Sequence, residues 1–256
     1  MKKAAMVVAL VVVVAVAASA LVYYYYFTPP ARKVLRVGTS PDFPPFEFIN
    51  ETTNQIVGID IDLVKAVARK LGYDVEIVSI DFEGLIPALQ AGQIDLIASG
   101  MTITEERAKV VDFSVPYWKA DQALLVAAGS SFRPKGLEDL VGKRVGVQTG
   151  TTAQFLVEDF MNRTGAKIDV KTYTSYTLAT KDLEAGRLDV VIVDSPVAST
   201  LAKMYRVEVS SIVETGEQYG FAVKKGNTAL LNALNQALNE VLKSSEWENI
   251  IRKYLG

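Results

Sequence analysis

LQAGQIDLIAS, from Leu89 to Ser99, returns as LEAGRLDVVIV from Leu183 to Val193. Each copy reads leucine, Ala-Gly, an aliphatic residue, Asp and then an apolar run. A glycine after a helical stretch is the usual left-handed terminator, so Gly92 and Gly186 are each expected to close a short helix just before a strand begins. Continuous apolar runs are what strands show when helices cover both faces of their sheet. Helix, glycine, strand is common grammar, and by itself leaves one lobe or two open. Upstream of each copy, however, stands a short strand running into a turn: LRVGTS from Leu35 to Ser40, and KRVGVQTG from Lys143 to Gly150. The same units in the same order predict two similar lobes.

Working outward, IDIDLVKAVARKLG carries Ile61, Val64, Ala68 and Leu71 on one helical face and ends at Gly72. VEIVSI follows as a strand. Strands alternating with helices in each half make this an α/β chain with mainly parallel sheets, in which ligands sit beyond the carboxyl ends of the strands. The two rhyming strands run out there, at Ser99-Gly100-Met101-Thr102 and at Asp194-Ser195-Pro196. The chain closes with a strand, YGFAV (Tyr219 to Val223), an amphipathic helix carrying Leu230, Leu234, Leu238 and Val241, and a second short helix. If the first lobe takes back this segment, lobe 1 comprises 34–122 and 221–256 and lobe 2 comprises 123–220. The chain then crosses twice, near Asp121 to Leu125 and near Thr215 to Phe221, as a hinge of two extended strands.

The 256 residues contain no cysteine and no histidine. That excludes thiol catalysis, disulfides, thiolate metal sites and every mechanism needing an imidazole, and no cofactor or metal is expected. Four of the 27 basic residues, Lys2, Lys3, Arg32 and Lys33, lie in the first 33, leaving 23 against 29 acids in the body. A body of that sign is a poor general binder of nucleic acid. Ala4 to Phe27 carries no charge and is long enough to cross a bilayer. With lysines before it and Tyr23 to Tyr26 at its far end, it reads as an anchor. Ala18-Ser19-Ala20 gives the competing reading, a cleaved signal peptide. Either way residues 1–33 form leader or anchor plus a Pro-Pro spacer, and the body lies outside the cytoplasm.

VGTSPDFPPFEF, VGIDIDLVKAVARKLG, DFEGLIPALQAGQIDLIASGMTITEERAKVVDFSVPY and WENIIRKYLG together resemble the type 3 extracytoplasmic solute-binding proteins, which deliver polar amino acids to ABC importers. The resemblance spans Val34 to Gly256. It implies a periplasmic-binding-protein-like fold of type II, whose two lobes close around one amino acid. It further implies that Arg107 clamps the ligand carboxylate, that Thr152 is a second carboxylate contact and that Asp194 takes the ammonium. Gly100 and Thr102 would add a carbonyl and a hydroxyl, with Phe43 and Phe82 as aromatic walls.

The residues fit those roles, each with a plainer alternative. Thr102-x-x-Glu105 has capping-box form, putting Arg107 one turn into a helix, where it could equally be a solvated charge. Gly150-Thr151-Thr152 opens a helix whose N–H groups attract anions, or is a plain cap. Asp194, after the run VVIV, must be capped, paired or turned to a ligand. Either Phe could be core. Trp118, near the first crossing, is a candidate for the cleft.

Family members that bind lysine, arginine or glutamine often carry an acid where this chain has Ser40, so the partner of the ligand side chain is open. Asp42, Asp81, Glu83 and Asp121 are candidates for a cation, and Gln148 and Gln122 for an amide or guanidinium. With Ser99 beside Gly100, the expected ligand-binding set is Ser40, Asp42, Phe43, Phe82, Ser99, Gly100, Thr102, Arg107, Gln148, Thr152 and Asp194. Arginine or lysine is the expected ligand, with glutamine second. The expected partner is an ABC permease, and the protein is expected to be a monomer touching the membrane only through its N-terminal segment. The alternative is a dehydratase or lyase on the same scaffold, akin to cyclohexadienyl dehydratase, although nothing marks an acid as catalytic.

Overall fold

The computed structural model describes residues 14–19 and 33–256. Residues 14–19 are helical, and no helix among the described residues is long and apolar enough to cross a membrane. The expected anchor or signal peptide falls mostly on residues outside the described set.

Residues 34–256 form one compact unit. Its first part runs β1 (Lys33–Thr39), β2 (Asp42–Phe43), β3 (Glu47–Asn50), β4 (Gln55–Val57), α1 (Ile59–Lys70), β5 (Tyr73–Ser79), α2 (Leu85–Gln90), β6 (Leu96–Ile97), α3 (Glu105–Ala108) and β7 (Val111–Phe113). Then come β8 (Trp118–Ala127), β9 (Arg144–Gln148), α4 (Thr152–Thr164), β10 (Asp169–Tyr173), α5 (Tyr176–Glu184), β11 (Val190–Asp194), α6 (Ser195–Met204) and β12 (Val207–Tyr219). The chain finishes with β13 (Ala222–Lys224), α7 (Thr228–Leu242) and α8 (Ser245–Leu255). Two five-stranded sheets, ordered β5-β1-β6-β13-β7 and β10-β9-β11-β8-β12, make the two lobes expected of the fold. A small sheet of β2, β3 and β4 is an addition that the sequence reading did not contain.

The rhyme in the sequence is a repeated clamp. In the first lobe β1 lies parallel to β6, and Asp95 accepts from the Arg36 backbone N–H at 2.9 Å, from Nε at 3.0 Å and from Nη2 at 2.7 Å. In the second, β9 lies parallel to β11, and Asp189 accepts the same three bonds from Arg144 at 2.8, 3.1 and 2.7 Å. The glycine of each RVG provides the room. A methyl group on Gly38 would stand 2.3 Å from Ile94 Cδ1, and one on Gly146 would stand 2.5 Å from Leu188 Cδ1. The aliphatic residue before each Asp therefore fills the space over the glycine of the paired strand.

Three expectations change. The sheets are mixed, because β8 and β12 pair antiparallel within the second sheet and β13 runs antiparallel to β6 and β7 in the first. The returning crossing strands make that unavoidable. IDLIAS contributes only the two-residue β6, although the whole run is nearly buried. YGFAV is not one strand. Tyr219 pairs with Trp118 in the second sheet and Ala222 with Ile97 in the first, and Gly220 between them donates to the Met101 carbonyl at 3.1 Å.

The packing over the two glycines generates a test. Gly38→Val and Gly146→Val are each expected to lower unfolding free energy by about 1–3 kcal/mol in urea titrations. Adding Ile94→Ala to Gly38→Val should return part of the loss, since the two side chains compete for one space.

Candidate functional site

The eleven residues singled out from the sequence all border one cavity between the lobes, joined there by Glu47 and Thr151.

Arg107 reaches it from α3. The helix is capped by Thr104, whose hydroxyl accepts the Arg107 N–H at 3.2 Å, so the expected cap at Thr102 is corrected by two residues. Thr102 instead makes a β-bridge to Tyr219. Arg107 is buried, not a solvated charge. Its Nη1 donates to the Thr102 carbonyl at 2.8 Å and its Nη2 to the Gly150 carbonyl of the other lobe at 3.0 Å. Phe82 lies against it, 5.2 Å from ring centroid to Cζ. Burial lowers its pKa to about 10, so it stays charged at neutral pH, and three of its five N–H donors remain for another partner.

Across the cavity, Thr151 caps α4 and Thr152 is its first residue. The Thr152 hydroxyl donates to Glu217 at 2.8 Å. Asp194 stands at the N-cap position of α6, yet its side chain makes no cap bond. It accepts instead from Gln122 Nε2 at 2.9 Å and from the Tyr219 hydroxyl. Burial first, and then the charge of Glu217, raise its pKa to about 7.

The remaining wall is a chain of acids and hydroxyls. Ser40 donates to Asp42 at 2.9 Å, and Asp42 also accepts Gln148 Nε2 at 3.0 Å and the Tyr176 N–H at 2.6 Å, both from the second lobe. Burial raises Asp42 to about 6. Ser99 donates to Glu47 at 3.2 Å, and the other Glu47 oxygen is buried without a hydrogen-bond partner. Behind Gly100, Asp60 accepts its N–H at 2.8 Å and the Tyr117 hydroxyl at 2.5 Å. Burial pushes Asp60 to about 7 and Glu47 well above the usual carboxylate range, with the Asp60 charge adding to the latter. Phe43 stacks obliquely on Tyr176, 5.7 Å between centroids, and closes on Gly100, where an added methyl would meet its ring at 2.7 Å. Gly100 has φ 48°, which a side chain would strain further.

Several candidates lie elsewhere. Asp81 and Glu83 are exposed and off the cavity wall. Asp121 holds the second crossing, accepting the N–H groups of Thr215 at 2.9 Å and Gly216 at 2.8 Å. Trp118 faces Trp247 in a separate groove with Pro116 and Lys119. Gln122 is buried behind Asp194. The sequence reading missed Glu47, Asp60 and Glu217, and had Thr151 only as part of the helix start beside Thr152. Strand alternation was the available signal for Glu47, since it must point away from the face that takes Phe46 and Phe48.

A family model of bacterial extracellular solute-binding proteins, family 3, matches residues 35–256. The chain belongs to that family. A probable histidine-binding protein of Neisseria gonorrhoeae is 36% identical over 229 residues, covering 88% of this chain and 84% of the relative. ABC transporter arginine-binding protein 1 of Escherichia coli (strain K12) is 35% identical over 226 residues, covering 86% and 90%. Among solved structures, an ancestral arginine-binding protein bound to arginine is similar with TM-score 0.83 at 46% identity, over 88% of this chain and 99% of that one. For this member of the family, then, the cavity lies within the matched residues and between lobes shared with proteins named for the amino acids they bind.

The buried acids imply an inverted pH dependence. Asp60 and Asp194 titrate near 7 and Asp42 near 6 when folded, against about 4 when unfolded. The folded protein therefore holds protons that the unfolded chain has released, and stability falls as pH rises from about 4 to about 7. Surface carboxylates such as Asp95 and Asp189 are shifted down by Arg36 and Arg144, and their contribution is lost only below about pH 4. With no histidine, no ordinary side chain titrates between pH 5 and 8. Calorimetry of the ligand-free protein should give a higher Tm at pH 5 than at pH 8, and Asp60→Asn should flatten the slope.

Proposed function

We propose that the protein binds a free cationic amino acid, arginine first, by closing its two lobes on it, and presents it to the permease of an ABC importer. The observation that carries the reading is the charge of the cavity, one guanidinium facing several carboxyls that lack countercharges. An amino acid with a basic side chain supplies one negative and two positive groups. Arg107 holds the carboxylate through its free N–H donors, as charge-assisted bonds. Asp194, with the Gly100 carbonyl and the Thr102 hydroxyl, takes the ammonium. Phe43 and Phe82 flank the aliphatic stem.

The side-chain cation goes to Glu47 and Asp42. They supply the acid that the family pattern would place at Ser40, and Glu47 borders the cavity and keeps one buried oxygen without a hydrogen-bond partner. Gln148 serves as the donor that turns the reading toward glutamine, the second ligand. The relatives named above are described as binding proteins, and the reading is capture without turnover. On this reading the lobes comprise 34–122 with 221–256, and 123–220, and residues 1–33 keep the protein outside the cytoplasm as leader or anchor.

A thermal-shift screen against the twenty amino acids tests it, because only a ligand that prefers the native state raises Tm. Arginine should give the largest shift. In titration calorimetry Arg107→Ala should cost at least about 2 kcal/mol, roughly thirtyfold in Kd, with the protein still folded. Glu47→Gln should weaken arginine by about tenfold or more and glutamine much less. Unchanged affinity in Arg107→Ala would refute the carboxylate assignment.

A further inference from the structure

Glu217 carries none of the roles above, yet its carboxylate is the most heavily bonded in the cleft. Oε2 accepts from Thr102 Oγ1 at 2.6 Å and from Thr152 Oγ1 at 2.8 Å. Oε1 accepts from Gln122 Nε2 at 2.8 Å and from Thr215 Oγ1 at 3.2 Å. Thr102 comes from the first lobe, Thr152 from the second, and Gln122 and Thr215 from the two crossing strands.

The chain bends to put it there. The register of β12 on β8 slips between Val213 and Glu217, with Gly216 at φ 64° and the two bulge N–H groups of Thr215 and Gly216 held by Asp121. Such bulges re-aim a side chain. Thr102 and Thr152 border both the cavity and an outer groove, whereas Glu217 borders only the groove, so it stands behind the two threonines as seen from the cavity.

Direction follows from the donor inventory. An ionised carboxylate only accepts, and a hydroxyl has a single proton. With both protons given to Glu217, Thr102 and Thr152 have only lone pairs left for the cavity. We infer that Glu217 is a positioning residue that turns the Thr102 and Thr152 hydroxyls into acceptors, assigning that end of the cavity, beside Asp194, to the ammonium of the ligand. This rests on the amino-acid reading above and changes one detail of it. The Thr152 hydroxyl serves the ammonium, leaving the carboxylate to Arg107 and to N–H groups at the start of α4.

The test compares L-arginine with 5-guanidinopentanoate, which is arginine with hydrogen in place of its α-ammonium, by titration calorimetry and by competition where heats are small. Glu217→Gln supplies an N–H donor that forces a threonine to accept, turning its own proton into the cavity. Arginine should weaken by about tenfold in this variant, and 5-guanidinopentanoate by less than about twofold. An equal loss for both ligands, or no loss for arginine, overturns the inference. Should Glu217→Gln not fold, Thr102→Val removes one hydroxyl at constant shape, and the same selective loss is required. If the unaltered protein takes neither ligand, the arginine reading fails and this inference fails with it. A selective wild-type protein with unselective variants removes this inference alone.

Discussion

An excess of buried carboxyl groups over a single buried cation is the constraint on which the cleft depends. Among the described residues Arg107 is the only basic side chain at the cavity wall, against Asp42, Glu47 and Asp194, with Asp60 and Glu217 immediately behind. Several uncompensated charges cannot share a low-dielectric space, and Asp42, Glu47, Asp60 and Asp194 respond with pKa values above the usual carboxylate range. The cleft can become neutral in two ways, by keeping those protons or by exchanging them for a cation that fits. That exchange gives recognition a chemical basis independent of shape. It also explains how a chain without histidine can still gather several titrating groups near neutrality.

The same residues tie recognition to the approach of the lobes. Arg107 spans from Thr102 to Gly150, Asp42 from Ser40 to Gln148 and Tyr176, and Glu217 from Thr102 to Thr152. No interlobe contact in this group is separate from a group that borders the cavity. Separation of the lobes would expose Asp42 to water and restore its ordinary ionisation, so position and charge state are two views of one equilibrium.

Much of this was legible in the sequence, for identifiable reasons. The two RVG strands and the two AG-aliphatic-Asp units declared themselves because each letter has a local cause: glycine ends a helix, an apolar run marks a strand covered on both faces, and the ends of such strands point to the site. The resemblance to a family supplied roles for Arg107, Thr152 and Asp194 that spacing alone left open. What stayed hidden depended on partners remote along the chain. Asp95 and Asp189 were read as part of a rhythm, but their reason, a three-bond grip on Arg36 and Arg144, appears only when β6 and β11 lie beside β1 and β9. The mixed sheets were missed because direction is set by the two crossings.

Glu217 shows the limit most clearly. In sequence it is one acid in VETGEQY, indistinguishable from the exposed Glu214. Its neighbours say turn, and Gly216 agrees. Only the slipped register between Val213 and Glu217, fixed by Asp121, shows that the turn is a bulge inside a strand and that the side chain after it is delivered between two threonines 50 residues apart along the chain. Between Val213 and Glu217 the bulged strand spends four residues against two on β8, and the detour re-aims the side chain that follows it. The direction of three hydroxyl protons, and with it the polarity of one end of the cavity, then follows from a two-residue insertion in one strand.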